Sequence, residues 1–339
     1  MTDERVAVGM KIVFRLALML AGIYFLYLIR SVVLLVFLAI LTSVALSPVI
    51  VRLQRKFSRT TSVIIVYALL FFGGIALLSV LLPLLFSEAK EFLVRWPEYA
   101  TRLDTILSSI ETYLGTFGIS FQREQFSQNI AGNIAGWLSN ILSTTVSLFQ
   151  GFIHFIGFFF LSLYLSLEEK GIENFFLVIT PKEYHSQALS IVSRMQRKVS
   201  RWLFGQMLLM LITFVMYYIG LRVLGVPYAL AIAFFGGVME ILPYIGPVFA
   251  AIPAIAVGLL VSPMLGVSTL IFYVVAHQLE AHIVAPQVMK HSAGLSPVAL
   301  IIAILIGAEL AGPLGIILSV PITMMLSVFV DDILVRKQS

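Results

Sequence analysis

The chain has 339 residues, of which 60% are apolar and only 12% charged, with a formal net charge of +5 and no cysteine. Soluble domains run at roughly 45–50% apolar and about 25% charged. A mean hydropathy of +1.03 therefore excludes an ordinary water-soluble enzyme, because a globule of this size cannot hide so much apolar surface. The absence of cysteine excludes a disulfide framework, a thiol nucleophile and thiolate-held metal or iron–sulfur centres.

Apolar stretches recur near 12–29, 31–49, 62–86, 146–167, 203–223, 228–261, 264–281 and 298–330, and a transmembrane helix needs about 20 mostly apolar residues. Residues 61–85 and 146–167 carry no charge at all. Residues 205–330 carry only Arg222, Glu240, Glu280, Lys290 and Glu309. The pattern predicts an all-α, polytopic helical membrane protein with about eight transmembrane segments; a β-barrel would alternate in short segments. Apolar sequence runs from Ile12 past Val49, interrupted only by Arg15 and Arg30, so the first span reads as an uncleaved signal anchor.

The placement of charge explains the positive balance. Arg52, Arg55, Lys56 and Arg59 crowd 51–60 without an acid, and 168–201 holds six bases against four acids. By contrast 88–124 holds six acids and four bases. Basic short loops stay cytoplasmic, so the expectation is a multi-pass cell (inner) membrane protein with both termini cytoplasmic and 88–145 outside. The charge then reflects topology and argues against nucleic acid as a partner. The chain divides accordingly into 1–87, N-terminal transmembrane helices; 88–145, an external amphipathic helical region; 146–167, a transmembrane helix; 168–202, a cytoplasmic amphipathic segment; 203–330, a core with broken helices; and 331–339, a cytoplasmic tail.

In the external region Phe92, Leu93, Trp96, Tyr99, Leu103, Ile106, Leu107, Ile110 and Leu114 recur at three- and four-residue steps, which predicts an amphipathic helix. Pro97 is placed near its start, and a second helix is expected over 130–142. Such helices read as a cap packed on the membrane domain or as an oligomer-forming collar. In 183–202 apolar positions alternate with Arg194, Arg197, Lys198 and Arg201, as in a helix lying on anionic head groups.

Two long apolar segments are interrupted in parallel ways. In 228–261, Glu240 precedes Leu242-Pro243-Tyr244-Ile245-Gly246-Pro247, and Pro253 follows. In 298–330, Glu309 precedes Ala311-Gly312-Pro313-Leu314-Gly315, and Pro321 follows. Proline removes a backbone donor and glycine loosens the helix, and carbonyls freed in hydrocarbon need protein or a water-lined cavity. Two such breaks in corresponding places point to a transporter's binding site. If each segment crosses once there are eight spans. If each is a re-entrant hairpin there are six spans and two hairpins.

A charge near the bilayer centre costs at least about 2.5–3.5 kcal/mol. Glu240 and Glu309 must therefore face a cavity or a partner, or carry a proton, and such carboxyls suit proton or cation coupling. Gln206, Gln278, Gln287, Tyr244 and His154 are lesser polar candidates, suited to bonding between helices. His277 and Glu280 sit at i and i+3 with His282 near them, which reads as a polar pair at a helix end rather than a metal site. The sequence contains no nucleophile elbow, phosphate-binding loop, dinucleotide fingerprint or zinc-protease motif. Neither an enzyme nor a cofactor or resident metal is expected.

The run Gly205-Gln206, Gly225-Val226-Pro227, Glu240 and Leu242 to Pro247 resembles the autoinducer-2 exporter family of bacterial and archaeal membrane proteins. So do Gln278-Leu279-Glu280, Pro286, Leu295-Ser296-Pro297, Gly312-Pro313-Leu314-Gly315 and Pro321. The likeness covers the hydrophobic plan of nearly the whole chain, with its specific motifs in 205–321. It departs at Leu242, where the family often has isoleucine. The resemblance implies a transport protein that exports a quorum signal or exchanges sodium for protons, assembled as a homo-oligomer, with pentamers among the forms it implies.

The leading expectation is a secondary transporter of a small polar solute, working in the lipid bilayer at the two breaks. Its pathway would be lined by Glu240, Pro243, Tyr244, Gly246, Pro247, Glu309, Gly312, Pro313, Gln206, Gln278 and Glu280. The alternatives are a sodium/proton antiporter and a non-transporting oligomeric membrane scaffold.

Overall fold

The computed structural model describes residues 14–22, 24–25, 28–118, 123, 125, 129, 132, 136, 145–168, 171–242, 245–289 and 296–338. Among these there is no strand. The helices are α1 (Arg30–Leu53), α2 (Arg59–Gly115), α3 (Thr145–Leu167), α4 (Gly171–Ile179), α5 (His185–Leu224), α6 (Ala229–Met239), α7 (Gly246–Val261), α8 (Pro263–Leu279) and α9 (Pro297–Gln338). A five-residue turn and a short helix, Ala285–Val288, extend α8. The protein is thus the polytopic helical membrane protein that its composition predicts. Among the described residues five stretches are long and apolar enough to cross a bilayer: Arg30–Leu53, Arg59–Gly115, Lys182–Leu224, Pro263–Val288 and Val298–Asp332. Leu69, Phe72 and Val80 of α2 expose 72%, 67% and 64% of their surface, which only a hydrocarbon solvent tolerates over so long a helix.

The chain forms two compact units, residues 1–48, 154–196 and 295–339 in one, and 49–153 with 197–294 in the other. In the first, Ser166 donates to Ser43 at 2.8 Å inside the protein. Arg194 pairs with Asp332, which also accepts from Gln187 at 3.1 Å. Its α9 is broken at Gly312, whose backbone (φ 59°, ψ −140°) is not helical. Beyond the break the chain doubles back: a Cβ on Gly307 would lie 2.3 Å from the Gly315 carbonyl oxygen, and one on Gly315 would lie 1.9 Å from that of Gly307. Eight residues of straight helix would put these glycines about 12 Å apart. The 298–330 segment is a helical hairpin.

The second unit contains the other hairpin. Neither α6, at 11 residues, nor α7, at 16, reaches the roughly 30 Å of a hydrocarbon core, being about 16 and 24 Å long. They turn back on each other through the 240–245 break, and α7 turns again into α8 at Ser262, whose hydroxyl caps the Leu265 N–H at 3.1 Å. Pro263 takes the first helical position, where its missing N–H costs nothing. Two reversals leave α6 and α8 running parallel, so their C-terminal ends fall at the same end of the unit. Tyr217 and Leu221 of α5, Ile232 and Ala233 of α6, Ala250 and Ala254 of α7 and Tyr273 and Ala276 of α8 form the buried core.

α2 joins this core from outside the hairpin. It is one helix of 57 residues, about 86 Å long, started by Ser58, whose side chain accepts the Thr61 N–H at 3.3 Å. Contrary to the expectation of a helix beginning near Pro97, α2 runs through both Pro83 and Pro97. Phe92, Trp96, Tyr99 and Leu103 pack against the core, and such tertiary burial offsets the roughly 3 kcal/mol penalty of an interior proline. The second external helix expected over 130–142 lies outside the described residues. Tyr99 and Tyr228 meet hydroxyl to hydroxyl at 3.1 Å, and Phe92 packs on both rings. Tyr228→Phe keeps the rings and removes this bond; the thermal midpoint in detergent is expected to fall by the equivalent of about 1 kcal/mol.

Candidate functional site

Glu240 ends α6 and Glu280 ends α8, and the parallel run of these helices brings the two carboxyls together. They face each other within hydrogen-bonding reach, and each residue is buried to 3–4% exposure. A bond between two carboxyl groups requires a proton on one of them. The Oε2 atom of each has no partner among the described residues.

The local backbone shapes the pair. Beyond α8 the helix widens over Glu280–Val284, with the Ala285 N–H bonding the Glu280 carbonyl five residues back. Pro286 cannot continue a normal α-turn without striking the carbonyl four residues earlier, and the wider turn gives it room. Such bulges recur at functional sites. On the α6 side, the buried Gln206 of α5 donates its Nε2 to the Glu240 carbonyl at 2.5 Å. This bond satisfies an acceptor at the helix end and fixes the tip of the hairpin against α5.

Around the carboxyls stand further polar atoms with no partner among the described residues: Tyr217 OH and His277 Nδ1, with Tyr273 OH beside Tyr217. The Tyr217 and Tyr273 rings lie 4.6 Å apart by centroid. Tyr217 is within electrostatic range of Glu240, Glu280 and Tyr273, and His277 acts on Glu280. Buried polar atoms are ordinarily satisfied, and this group of them about one acid pair makes the place a candidate site. Among the described residues His277 is the basic side chain that acts on the pair.

The candidate residues read from sequence fall into several groups. Glu240, Glu280 and Gln206 come together at this site. Gly246 and Pro247 are buried at the start of α7, just past the tip. Pro243 and Tyr244 lie outside the described residues. Gln278 is exposed, and its carbonyl lies 3.0 Å from His282 Nδ1. Glu309, Gly312 and Pro313 stand at the break of α9 in the other unit, with Glu309 and Pro313 exposed. Among the described residues no group of three or more metal-ligating side chains has metal-binding geometry.

Sequence reasoning passed over Tyr217 and Tyr273, because hydroxyl-bearing residues in an apolar span read as ordinary packing. It also passed over Glu88 and Arg102. Glu88 accepts the N–H groups of Leu230 and Ala231 at 3.4 and 2.7 Å, and Arg102 donates to the carbonyls of Leu260 and Val261 at 3.2 and 2.8 Å. The available signal was their spacing: 88, 92, 99 and 102 share one helical face.

The comparison with known proteins agrees with this architecture. "Putative transport protein YueF" of Bacillus subtilis is 26% identical over 84% of this chain and 79% of its own length. "Putative transport protein YrrI" of the same organism is 26% identical over 88% of this chain and 86% of its own. The "AI-2 transport protein TqsA" of Escherichia coli is 25% identical over 96% of this chain and 92% of its own. The family described as the AI-2E family transporter matches residues 14–335, so a polytopic helical protein with two broken hairpins and a buried acid pair is a membrane transport protein: the chain belongs to the AI-2E transporter family.

Proposed function

We propose that this protein is a secondary transporter that exports a small polar solute and couples its movement to a cation, a proton first among them, at the Glu240–Glu280 pair. The observation that carries the reading is the pair itself: two carboxyls in contact, buried, each with a free oxygen. Holding two acids together in a low-dielectric interior is costly, and the cost is rational where the acids exchange protons or cations for work. Tyr217, Tyr273 and His277 bring hydrogen-bonding atoms to the same place. The second hairpin, with Glu309 and the Gly312-Pro313 break, is a further candidate element of the same kind. The name of the Escherichia coli relative makes autoinducer-2 the first solute to try. The protein works as a homo-oligomer in the cell membrane with both termini cytoplasmic.

A sodium/proton antiporter is the second reading, since the acid pair serves it equally. Purified protein in liposomes carrying an internal pH dye separates the two under an imposed sodium or proton gradient. A dye response that requires added autoinducer-2 supports the exporter. A sodium-driven response without any organic solute supports the antiporter. No response to either gradient, with or without solute, overturns both and leaves the scaffold.

A further inference from the structure

We infer that the distal half of α2 is the anchor of the α6–α7 hairpin, and that Glu88 and Arg102 are positioning residues that hold Glu240 in register with Gln206 and Glu280. A helix N-terminus leaves N–H groups unbonded and partly positive, and a C-terminus leaves carbonyls unbonded and partly negative. The open end of this hairpin presents one of each: the start of α6 and the end of α7. The Glu88 carboxylate takes two amides of the first, and the Arg102 guanidinium takes two carbonyls of the second, while Glu98 holds Arg102 at 2.7 Å. Each charge complements the helix end it meets.

The two residues lie 14 apart on one continuous helix, nearly four turns, so they project from close to the same face at a fixed separation. Between them Phe92 and Tyr99 pack on Tyr228, whose left-handed backbone (φ 58°) stands immediately before α6. A non-glycine residue keeps such a conformation only where its surroundings over-determine it. The chain therefore enters α6 at a point held by charge, ring packing and a hydroxyl pair.

The lever arm connects this anchor to the acids. α6 is about 16 Å long, and a tilt of about 5° at its start moves its far end by about 1.4 Å. That displacement takes the Gln206–Glu240 bond out of the range in which hydrogen bonds form. Releasing the anchor should thus loosen the distant tip while leaving the helices formed.

The test uses the full chain in detergent with Ile241→Cys at the tip, which is the sole cysteine because the native chain has none. Its rate of modification by a small methanethiosulfonate reagent reports opening of the tip. Glu88→Ala and Arg102→Met are expected to raise the rate about tenfold, the change that a lost charge-assisted hydrogen bond gives a local opening equilibrium. Glu88→Gln, which keeps an acceptor for the two amides, and Arg102→Lys, which keeps a donor, should stay within about threefold of the parent. The exchange Glu88→Arg with Arg102→Glu preserves net charge but sets each charge against the wrong helix end, and it should label like the disrupted variants. Parent-like labelling of the exchanged protein, or of both Glu88→Ala and Arg102→Met with an unchanged elution profile, overturns the inference. Should the alanine variant fail to fold, the exchanged protein decides: parent-like labelling there overturns the inference.

Discussion

Replacing Glu240 and Glu280 together by glutamine is expected to abolish gradient-driven flux while leaving the protein at least as resistant to heat as the unaltered chain. The two effects have one cause. A carboxylate held away from water costs several kcal/mol unless it is paired and fully bonded, and here each carboxyl has a free oxygen. Glutamine matches the shape and removes the charge. In the single variants Glu240→Gln and Glu280→Gln the new amide donates permanently to the opposing carboxyl, a bond worth about 1.5–3 kcal/mol. Each single variant should therefore melt above the parent. The double variant should gain less than the sum, since residues in contact are not additive by about 0.5–3 kcal/mol. Function runs the other way, because an amide neither binds nor releases a proton. Thermal unfolding in detergent and the pH-dye response of proteoliposomes measure the two sides. A parent-like dye response from the double variant would show that the coupling groups lie elsewhere.

The partnership of these two acids is the part of the site that the linear sequence conceals. Glu240 and Glu309 stand at matching places in two broken segments, and that likeness suggests they act together. Contact, however, is decided by helix direction. The reversals at 240–245 and Ser262 make α6 and α8 parallel, so Glu280 at the end of α8 meets Glu240 at the end of α6, whereas Glu309 belongs to the other unit. Spacing along one helix, such as His277 with Glu280, is legible; a pairing across forty residues depends on turns whose geometry no periodicity encodes.

The breaks themselves were legible, because proline and glycine act locally. Gly312 takes up φ 59° and ψ −140°, a region open essentially to glycine, and the chain doubles back there. Composition left open whether each long segment crosses or returns, since either fits about 34 residues. Close glycine contacts across each tip decide for the hairpin. Pro97 misled in the opposite direction: a local breaker is overridden when Phe92, Trp96 and Tyr99 bury their rings on either side of it. The anchor formed by Glu88 and Arg102 escaped for a related reason. On an amphipathic helix charged residues read as a solvated face, and only the placement of two neighbouring helix ends turns them into caps.

Gly246→Ala is expected to be among the most damaging single substitutions in the chain, and Gly73→Ala among the most benign. At Gly246 an added Cβ would lie 2.1 Å from the carbonyl oxygen of Met239, 2.7 Å from its carbonyl carbon and 3.2 Å from the Cα of Glu240. All three are backbone atoms, so no side chain can rotate away and the tip must spread. Overpacking of this kind costs about 3 kcal/mol or more where the surroundings cannot yield. Because the displaced atoms belong to Met239 and Glu240, the strain falls on the carbonyl that Gln206 binds and on one acid of the pair, and loss of flux should accompany loss of stability. Gly73 lies within α2 with nothing within 4 Å of an added Cβ. Alanine there removes conformational freedom from the unfolded chain and should raise stability by about 0.5–1 kcal/mol. Thermal midpoints in detergent, read beside flux in liposomes, check both substitutions. If Gly246→Ala melted with the parent and transported normally, the two arms would not close on each other at Gly246, and the acid pair would lose the geometry assigned to it.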